Sequence, residues 1–309
     1  MYPDEILGLF HLYGLMIAVG ILACFGLLFW YGKKKNIEAN FVDFLFYNGV
    51  ISIAVGFGSA ALFQATYDWI ETGEWSWESG ITFIGGLIGG IVTFLVVYFI
   101  MRKRFKTRLL DVLSFLPCCI LIAHAFGRLG CLFAGCCHGP ETDAWYGIYM
   151  YAGSLGKYAT VVPTQLFESL FLFALCGVCF FLVWKFNFKH NLSVYLIAYG
   201  IFRFCLEFVR ADHRGELIPG LTPSQFWSVL MVVAGIALIF ILPIFYKKRE
   251  AELAMTAKEQ PQAQAEGHTE DKAERMARIA EEAKAAHALD KEYNQDTEDV
   301  KDIGKNTEA

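Results

Sequence analysis

Charged side chains are scarce in this sequence of 309 residues, and prolines are few. Asp, Glu, Lys and Arg together make up 18% of the chain, and proline occurs 8 times. In contrast, 56% of the residues are hydrophobic and 16% are aromatic, and the mean hydropathy is +0.42. A chain with so little charge has too little polar surface for a soluble domain, so this class of protein is excluded. We expect lipid to be its solvent.

Seven apolar runs approach the roughly 20 residues that are needed to cross about 30 Å of hydrocarbon. They lie at 7–31, 41–67, 81–101, 109–133, 161–183, 192–209 and 225–246. The predicted fold class is therefore all-α, a polytopic membrane bundle of about seven transmembrane helices with a small extracytoplasmic head. The first run lacks the basic segment and the small-residue cleavage site of a removable signal peptide, so we expect it to stay as a helix.

Basic residues mark one set of connections between the runs. They follow the first, third, fifth and seventh runs, at 33–35, 102–108, 185–189 and 247–249. Since Lys and Arg are enriched in cytoplasmic connections, these ends should face the cytoplasm. The connection at 68–78 is acidic and rich in Trp, and the one at 134–162 is mixed in charge. We therefore predict that the N-terminus lies outside and the C-terminus lies in the cytoplasm.

The composition changes abruptly after Arg249. Residues 250–309 are dominated by Ala, Glu, Lys, Asp and Gln and hold few large apolar side chains. Such a segment cannot bury enough apolar surface to form a packed domain. We predict a transmembrane domain at 1–249 and a charged cytoplasmic tail at 250–309 that is largely disordered or helical.

Polar side chains occur inside the apolar runs, where an ionisable group is costly unless it finds a partner. Those predicted to lie toward the outer ends of their helices are His11, Tyr13, Gln64, Arg128, Gln165, Glu168, Arg203 and Glu207. Tyr199, Arg203 and Glu207 are spaced by four residues, so they should line one stripe of a helix that faces the bundle interior. The alternative is that Arg203 and Glu207 only neutralise each other.

Two arginines in the outer half of the bundle suggest an anion site. The guanidinium groups of Arg128 and Arg203 are planar forks that match the oxygens of a phosphate. A lipid head group is the nearest supply of phosphate in a membrane. We therefore expect Arg128 and Arg203 to bind a lipid phosphate.

Glycines recur at close spacing in the third apolar run. Gly85 and Gly89, and likewise Gly86 and Gly90, have the small-xxx-small spacing that lets two helices approach closely. The same spacing would let the backbone lie against a substrate. Both interpretations stay open for Gly85 and Gly86.

A dense group of cysteines lies at the end of the fourth run, where Cys131, Cys136, Cys137 and His138 fall within nine residues of Gly130. The first interpretation is packing or a free-thiol site. The second is a disulfide, which is permitted outside the cytoplasm, with Cys131 as one partner because adjacent cysteines rarely pair. The third is a metal site, but this spacing matches no standard zinc motif, so no metal is expected.

Several short motifs match one known family in order and spacing. They are His11–Met16, Gly85–Gly89, Gly127–Gly130, Pro163–Glu168, Tyr199–Arg210 and Ser224–Gln225. Over nearly all of residues 1–246 the chain resembles prolipoprotein diacylglyceryl transferase. The resemblance implies a bacterial inner-membrane enzyme that moves the diacylglyceryl group of phosphatidylglycerol to the lipobox cysteine thiol of a prolipoprotein and releases glycerol phosphate.

The resemblance also implies partners and residue roles. We expect phosphatidylglycerol, prolipoprotein signal peptides and membrane lipid as partners, with no nucleic acid and no cofactor. The candidate catalytic residues are Tyr13, Arg128, Tyr199, Arg203 and Glu207. The candidate substrate-binding residues are Arg128, Arg203, Gln165, Glu168, Gly85 and Gly86. In these roles Arg128 and Arg203 would steady the phosphate that leaves.

The chain departs from the family pattern at three positions. Ile84 stands where the family usually has His, Cys131 where it usually has Asn, and Cys136 where an acid is expected. Ile84 cannot accept a proton, so the usual candidate base is missing. Either a cationic pocket ionises the acceptor thiol, whose ordinary pKa is about 8.5, or another group acts as the base. The candidates for that base are Glu207, Glu168 and His138.

Two other functions are compatible with this sequence. One is a lipid-binding or transport protein that uses the same bundle without catalysis. Internal repeats or paired interrupted helices would favour a transporter, and neither is clear here. The other is a membrane thiol-redox protein that depends on Cys131, Cys136 and Cys137.

The distribution of basic residues makes a testable prediction about topology. A reporter that is active only outside the cytoplasm should be active when it is fused after Gly153 and silent when it is fused after Lys189. Reporter activity in cells, normalised to the amount of each fusion, is the measurement. The reverse pattern would contradict the predicted orientation.

Overall fold

A computed structural model describes residues 11–73, 82–211 and 220–305, together with Trp75 and Trp77. Side chains are described through the first two ranges except at 71, 83 and 84, and in the third range mainly up to Met255. The predicted starts of the first and third runs, at residues 7 and 81, and the side chain of Ile84 therefore lie outside the described part of the chain.

The described residues form a helical bundle with one small hairpin. The helices are α1 (Leu12–Lys34), α2 (Ala39–Thr72), α3 (Phe83–Met101), α4 (Leu109–Val112), α5 (Leu116–Ala134), α6 (Thr164–Phe186), α7 (Asn191–Glu207) and α8 (Pro223–Lys305). A 3₁₀ turn, Arg102–Arg104, follows α3. Strands β1 (Ile148–Ala152) and β2 (Lys157–Val161) pair antiparallel between α5 and α6. The prediction of an all-α polytopic membrane bundle is confirmed.

Six helical segments within the described residues are long and apolar enough to span a membrane. They are Leu12–Lys34, Ala39–Ile70, Gly85–Arg104, Leu116–Ala134, Thr164–Phe186 and Pro223–Met255. The sixth predicted run, 192–209, corresponds to α7, which has 17 residues. At a rise of about 1.5 Å per residue it is roughly 25 Å long, shorter than the hydrocarbon core.

Prolines explain two differences between the predicted runs and the helices. The predicted run 109–133 is interrupted, because α4 ends at Val112 and α5 begins at Leu116 with Pro117 in its first turn. Proline lacks the N–H that would continue an earlier helix but is tolerated at a helix start. The predicted run 161–183 begins later, at Thr164, because Val161 belongs to β2 and Pro163 precedes α6.

Helix α5 lies in the centre of the packed bundle. It contacts α1, α6 and α7, whereas α2 packs mainly on α3. Cys118, Leu121 and Ala125 of α5 have no exposed surface. Because these side chains occupy the core, the polar residues further along α5 are held at fixed positions between α6 and α7.

Three of the basic connections, those that follow α1, α3 and α6, meet at one end of the bundle. The Nζ atom of Lys35 lies 5.8 Å from the centre of the Trp184 ring, which joins the ends of α1 and α6. A carboxylate oxygen of Glu38 accepts hydrogen bonds from the backbone N–H groups of Lys106 and Thr107, at 3.1 and 3.3 Å. This arrangement fits the predicted clustering of basic ends. Which membrane side they face stays a prediction.

The chain divides into two compact units, Met1–Pro243 and Ile244–Ala309. Helix α8 extends to Lys305, so the backbone of most of the predicted tail is helical. The predicted boundary between residues 249 and 250 stays a prediction, as does the role of the tail.

Glycines of α3 allow this helix to lie close to α2. A Cβ atom on Gly85 would come within 2.5 Å of Cβ of Phe63, and one on Gly86 within 3.2 Å of the backbone oxygen of Gly56. The hydroxyl of Ser59 donates a 2.8 Å hydrogen bond to the carbonyl of Gly85. The structure therefore places both glycines in a helix–helix contact, and their predicted role in substrate binding stays a prediction.

A pair of glycine variants tests this contact. Gly85→Ala should destabilise the protein by about 1–3 kcal/mol, because the added methyl group overlaps the side chain of Phe63. Gly58→Ala on α2 is the matched control, since a Cβ there meets nothing within 4 Å, and it should be neutral or gain up to ~1 kcal/mol of helix propensity. The thermal unfolding midpoint in detergent is the measurement. Equal midpoints for the two variants would contradict the packing interpretation.

Candidate functional site

An ion pair between α5 and α6 forms the centre of the candidate site. The Nε atom of Arg128 lies 3.0 Å from Oε1 of Glu168, and the side chains are 19% and 1% exposed. The hydroxyl of Tyr199 on α7 donates a 2.7 Å hydrogen bond to the same oxygen. A carboxylate with this little exposure is stable as an ion only when it is paired in this way. Glu168 therefore joins three helices.

His124 extends this network on the inner side of Arg128. Its Nε2 atom lies 3.4 Å from the hydroxyl of Tyr199, and the two rings meet edge to face with centroids 4.9 Å apart. His124 and Arg128 are four residues apart on α5, so they lie on the same stripe of the helix. His124 was not among the candidate site residues derived from the sequence, although this spacing was a signal for it.

A second network joins α7 to the start of α8. An Nη atom of Arg203 lies 2.8 Å from Oε2 of Glu207 and donates a 2.9 Å hydrogen bond to the hydroxyl of Ser224. Thr222 donates to the other oxygen of Glu207 at 3.0 Å. The Nε atom of Arg210 lies 3.9 Å from Glu207. The predicted pairing of Arg203 with Glu207 is thus present in the structure.

One buried donor of this network has no partner. Arg203 is 7% exposed, and its Nη1 atom makes no hydrogen bond to any residue that the structure describes. A buried guanidinium donor without an acceptor is costly. Because Tyr199 and Arg203 are one turn apart on α7, the two networks lie side by side, roughly 6 Å apart along the helix.

Tyr13 lies at the start of α1, against α5. A Cβ atom on Gly130 would come within 3.1 Å of the Tyr13 ring and 3.2 Å of its backbone oxygen, so glycine is needed for this contact. The phenol lies within electrostatic range of Arg128 and Cys131, and 40% of the residue is exposed. Tyr13 therefore borders the candidate site from the N-terminal end of α1.

The loop after α5 is held against α6 by Thr164 and by Gln165, of which Gln165 was predicted to bind substrate. Gln165 donates a hydrogen bond to the carbonyl of Cys136, and Thr164 donates one of 2.6 Å to the carbonyl of Cys137. Gly135 has a left-handed backbone (φ 72°), and a Cβ there would collide with the backbone oxygen of Tyr151 in β1. Residues 135–139 are thus fixed between the hairpin and α6, and Gln165 orders this loop.

His138 is engaged through both ring nitrogens. Nδ1 lies 2.7 Å from the carbonyl of Gly139, and Nε2 lies 2.7 Å from the hydroxyl of Ser154. The residue is 2% exposed. The histidine therefore positions the loop against the β1–β2 turn, and it is poorly placed to take a proton from a substrate.

Three thiols converge beside Arg128. None of the nine cysteines forms a disulfide in the structure, and the Sγ atoms of Cys131, Cys136 and Cys137 lie within 4.8 Å of one another. Hydrogen bonds from Cys131 and Cys136, with a smaller contribution from Arg210, lower the pKa of Cys137 below that of an ordinary thiol. The hydrogen bonds that Cys136 shares with the other two thiols raise its own pKa. The cluster therefore favours a thiolate at Cys137.

The structure brings most of the predicted site residues to one end of the bundle. Arg128, Glu168 and Tyr199 share one network, and Arg203 and Glu207 share the second. Tyr13, Gln165 and the thiols of Cys131, Cys136 and Cys137 surround them. Gly85 and Gly86 instead lie at the contact between α2 and α3. The arrangement offers two guanidiniums, buried carboxylates and an imidazole for anion binding and proton transfer.

Comparisons with known proteins identify the family of the chain. A family model described as prolipoprotein diacylglyceryl transferase matches residues 6–241. A phosphatidylglycerol–prolipoprotein diacylglyceryl transferase 2 of Clostridium perfringens is 32% identical over 261 residues, which cover 80% of this chain and 97% of the relative. Enzymes of Clostridium tetani and Methylobacillus flagellatus with the phosphatidylglycerol–prolipoprotein diacylglyceryl transferase name are 32% and 31% identical, over 76% and 75% of this chain and 94% and 91% of the relatives.

Proposed function

The chain belongs to the prolipoprotein diacylglyceryl transferase family and is a multi-pass membrane enzyme of the transferase class, and we propose that the networks of Arg128 and Arg203 form its transfer site. The donor is phosphatidylglycerol, and the acceptor is the lipobox cysteine thiol in the signal peptide of a prolipoprotein. The site opens on the outer side of the bacterial inner membrane, with the N-terminus outside and the C-terminus in the cytoplasm.

The unpartnered Nη1 donor of Arg203 is the observation that carries this proposal. Within the described residues, Glu168 pairs with Arg128, and Glu207 pairs with Arg203. A phosphodiester carries one negative charge, and its oxygens accept hydrogen bonds from guanidinium groups. A lipid phosphate would accept from the unpaired Nη1 donor of Arg203.

The reaction replaces one bond at a glycerol carbon. The acceptor sulfur forms a bond to the carbon of the diacylglyceryl group that carries the phosphate, and the C–O bond to phosphate breaks. Glycerol phosphate leaves with the bonding electrons, so negative charge grows on the phosphate. Guanidiniums that are held in place before the reaction stabilise this growing charge without reorganisation. Arg128 and Arg203 perform this role, and Glu168 and Glu207 position them.

The proton of the acceptor thiol needs a base. Ile84 stands where the family usually has His, so the usual candidate base is missing. Glu207 is occupied by Arg203 and Thr222, and His138 is bonded at both nitrogens. Oε1 of Glu168 is already engaged by two donors, Arg128 and Tyr199. These contacts disfavour all three bases suggested by the sequence.

His124 is the remaining candidate for the proton acceptor. The single hydroxyl proton of Tyr199 goes to Glu168, so Nε2 of His124 donates toward Tyr199 and Nδ1 stays unprotonated. A neutral imidazole carries one unprotonated ring nitrogen, and this atom can accept a proton from a thiol. We assign the acceptor role to His124, with Tyr199 and Glu168 holding its orientation.

The phosphate role of the two arginines makes the first prediction for this site. Arg203→Ala should lower the transfer rate about a hundredfold, the loss of ~3 kcal/mol that one such donor supplies. Arg128→Lys and Arg203→Lys should not restore full activity, because an ammonium offers a point charge where the phosphate uses a fork. Transfer to a lipobox peptide and phosphatidylglycerol binding are measured on purified, folded variants.

Arg104→Ala is the matched control for these variants, since Arg104 is exposed in the 3₁₀ turn at the basic end of the bundle. It should keep full activity. Near-normal transfer by Arg203→Ala would remove Arg203 from the phosphate site and leave the pair with Glu207 as a structural contact. Lipid binding without any transfer in the unmodified protein would favour the non-catalytic alternative.

The role of His124 makes a separate prediction. His124→Gln should lower kcat/KM about a hundredfold, the typical contribution of a positioned proton acceptor. The remaining activity should rise with pH, because the acceptor thiol then ionises without help. His190→Gln is the control, since this histidine lies before α7 at the other end of the helix from Arg203. An unchanged pH profile in His124→Gln would exclude His124 as the base.

A further inference from the structure

The three thiols beside Arg128 have the arrangement of a metal site. The spacing of Cys131, Cys136 and Cys137 matches no standard zinc motif, yet the fold brings their Sγ atoms within 4.8 Å of one another. A zinc–sulfur bond of about 2.3 Å places the sulfurs of a tetrahedral site roughly 3.8 Å apart. The thiols therefore need only small side-chain rotations to share one cation.

The backbone around the thiols is held in a conformation that serves this convergence. Cys137 has a left-handed backbone (φ 66°), which a non-glycine residue adopts only when its surroundings impose it. Thr164 and Gln165 bind the carbonyls of Cys137 and Cys136, and so fix both residues over the end of α5. The strained backbone thus turns the adjacent Cys136 and Cys137 toward Cys131.

We propose that Cys131, Cys136 and Cys137 bind one thiophilic divalent cation of the zinc type, and that the acceptor cysteine of the substrate binds its fourth position as a thiolate. Soft thiolate ligands select such cations. Among the described residues no other Cys, His, Asp or Glu side chain joins the group. Three protein ligands with one open position are the pattern of a catalytic zinc site rather than a structural one.

The position of the cluster fits the transfer reaction, and this part of the inference rests on the proposed function. Cys131 is three residues from Arg128 on α5, so a sulfur held by the cation lies about one helical turn from the phosphate-binding arginine. Arg210 lies beside Cys137 and offsets the negative charge of the thiolates. The metal would bring the acceptor sulfur and the lipid phosphate into the same pocket.

The step balances in atoms and charge. The S–H bond of the acceptor breaks as its sulfur binds the cation, because a coordinated thiol is deprotonated. The proton passes by way of water to His124, about two helical turns from Cys131 on α5. The sulfur then attacks the glycerol carbon, the C–O bond to phosphate breaks, and glycerol phosphate leaves. The product thioether is a weaker ligand than a thiolate and dissociates from the cation.

Cobalt titration of the reduced full-length protein in detergent tests the metal site. Co²⁺ should bind in a 1:1 ratio and give thiolate-to-cobalt charge-transfer absorption. Cys131→Ser, Cys136→Ser and Cys137→Ser should each weaken binding at least tenfold, and Zn²⁺ should displace Co²⁺. Cys205→Ser is the control, because Cys205 is an exposed thiol on α7 outside the cluster. Equal binding by the variant that lacks all three thiols would overturn the proposal.

A second experiment tests whether the acceptor thiol binds the fourth position of the cation. Its outcome can be distinguished from a failure of the proposed function. A lipobox peptide should change the cobalt absorption, whereas the same peptide with Ser in place of Cys should not. Cobalt absorption that neither peptide changes would overturn the assignment of the acceptor thiol as the fourth ligand. Cobalt binding that survives in Arg203→Ala, without transfer, would show that the metal site stands even where the phosphate site fails.

A further experiment tests the site without relying on the folding of the serine variants. In the unmodified protein, Zn²⁺ should slow the alkylation of Cys131, Cys136 and Cys137 but leave that of Cys205 unchanged, as measured by peptide mass mapping. Equal protection of all four thiols, or a disulfide among the three in protein purified without reductant, would count against the site.

Discussion

The burial of charge between helices is the constraint on which the site depends. Glu168 is 1% exposed, and its carboxylate could not stay ionised there without the guanidinium of Arg128 and the hydroxyl of Tyr199. These three groups come from α5, α6 and α7. Any shift of one helix would leave a charge unpaired in a medium that contains little water. The electrostatic need for pairing therefore fixes the relative positions of the helices that carry the chemistry.

The hydrogen bonds of the two guanidiniums distinguish the two networks. In the first, Glu168 occupies the Nε side of Arg128 and so keeps this guanidinium in place. In the second, Glu207 serves both Arg203 and Arg210, and Nη1 of Arg203 has no acceptor among the described residues. A structural ion pair alone would be expected to satisfy its own donors. A buried Nη1 donor without an acceptor is consistent with a site that is completed by an anionic ligand.

The sequence predicted the elements of this bundle better than their contacts. Apolar length and the spacing of Tyr199, Arg203 and Glu207 identified the helices and one polar stripe, because both follow from helix geometry. The break at Pro117 and the start of α6 after Pro163 were missed, since the apolar runs continue through both prolines. The partners of Glu168 lie on other helices and do not follow from local spacing.

The contacts of His124 and of the thiol cluster likewise could not be predicted from local spacing. His124 was one of several polar residues inside the apolar runs, and only its contact with Tyr199 distinguishes it. The convergence of the thiols depends on left-handed backbones at Gly135 and Cys137 and on hydrogen bonds from α6. The spacing of the cysteines in the sequence predicts none of these features.

The three departures from the family pattern, Ile84, Cys131 and Cys136, can be explained together. Ile84 removes a proton acceptor from α3, whereas Cys131 and Cys136 add thiols beside Arg128. A transferase that alkylates a thiol needs its acceptor as a thiolate, and it can obtain one by a base or by a soft cation. On our proposals, His124 takes the proton and the thiol cluster holds the sulfur. The loss of one polar residue on α3 is then compensated by residues on α5 and its following loop.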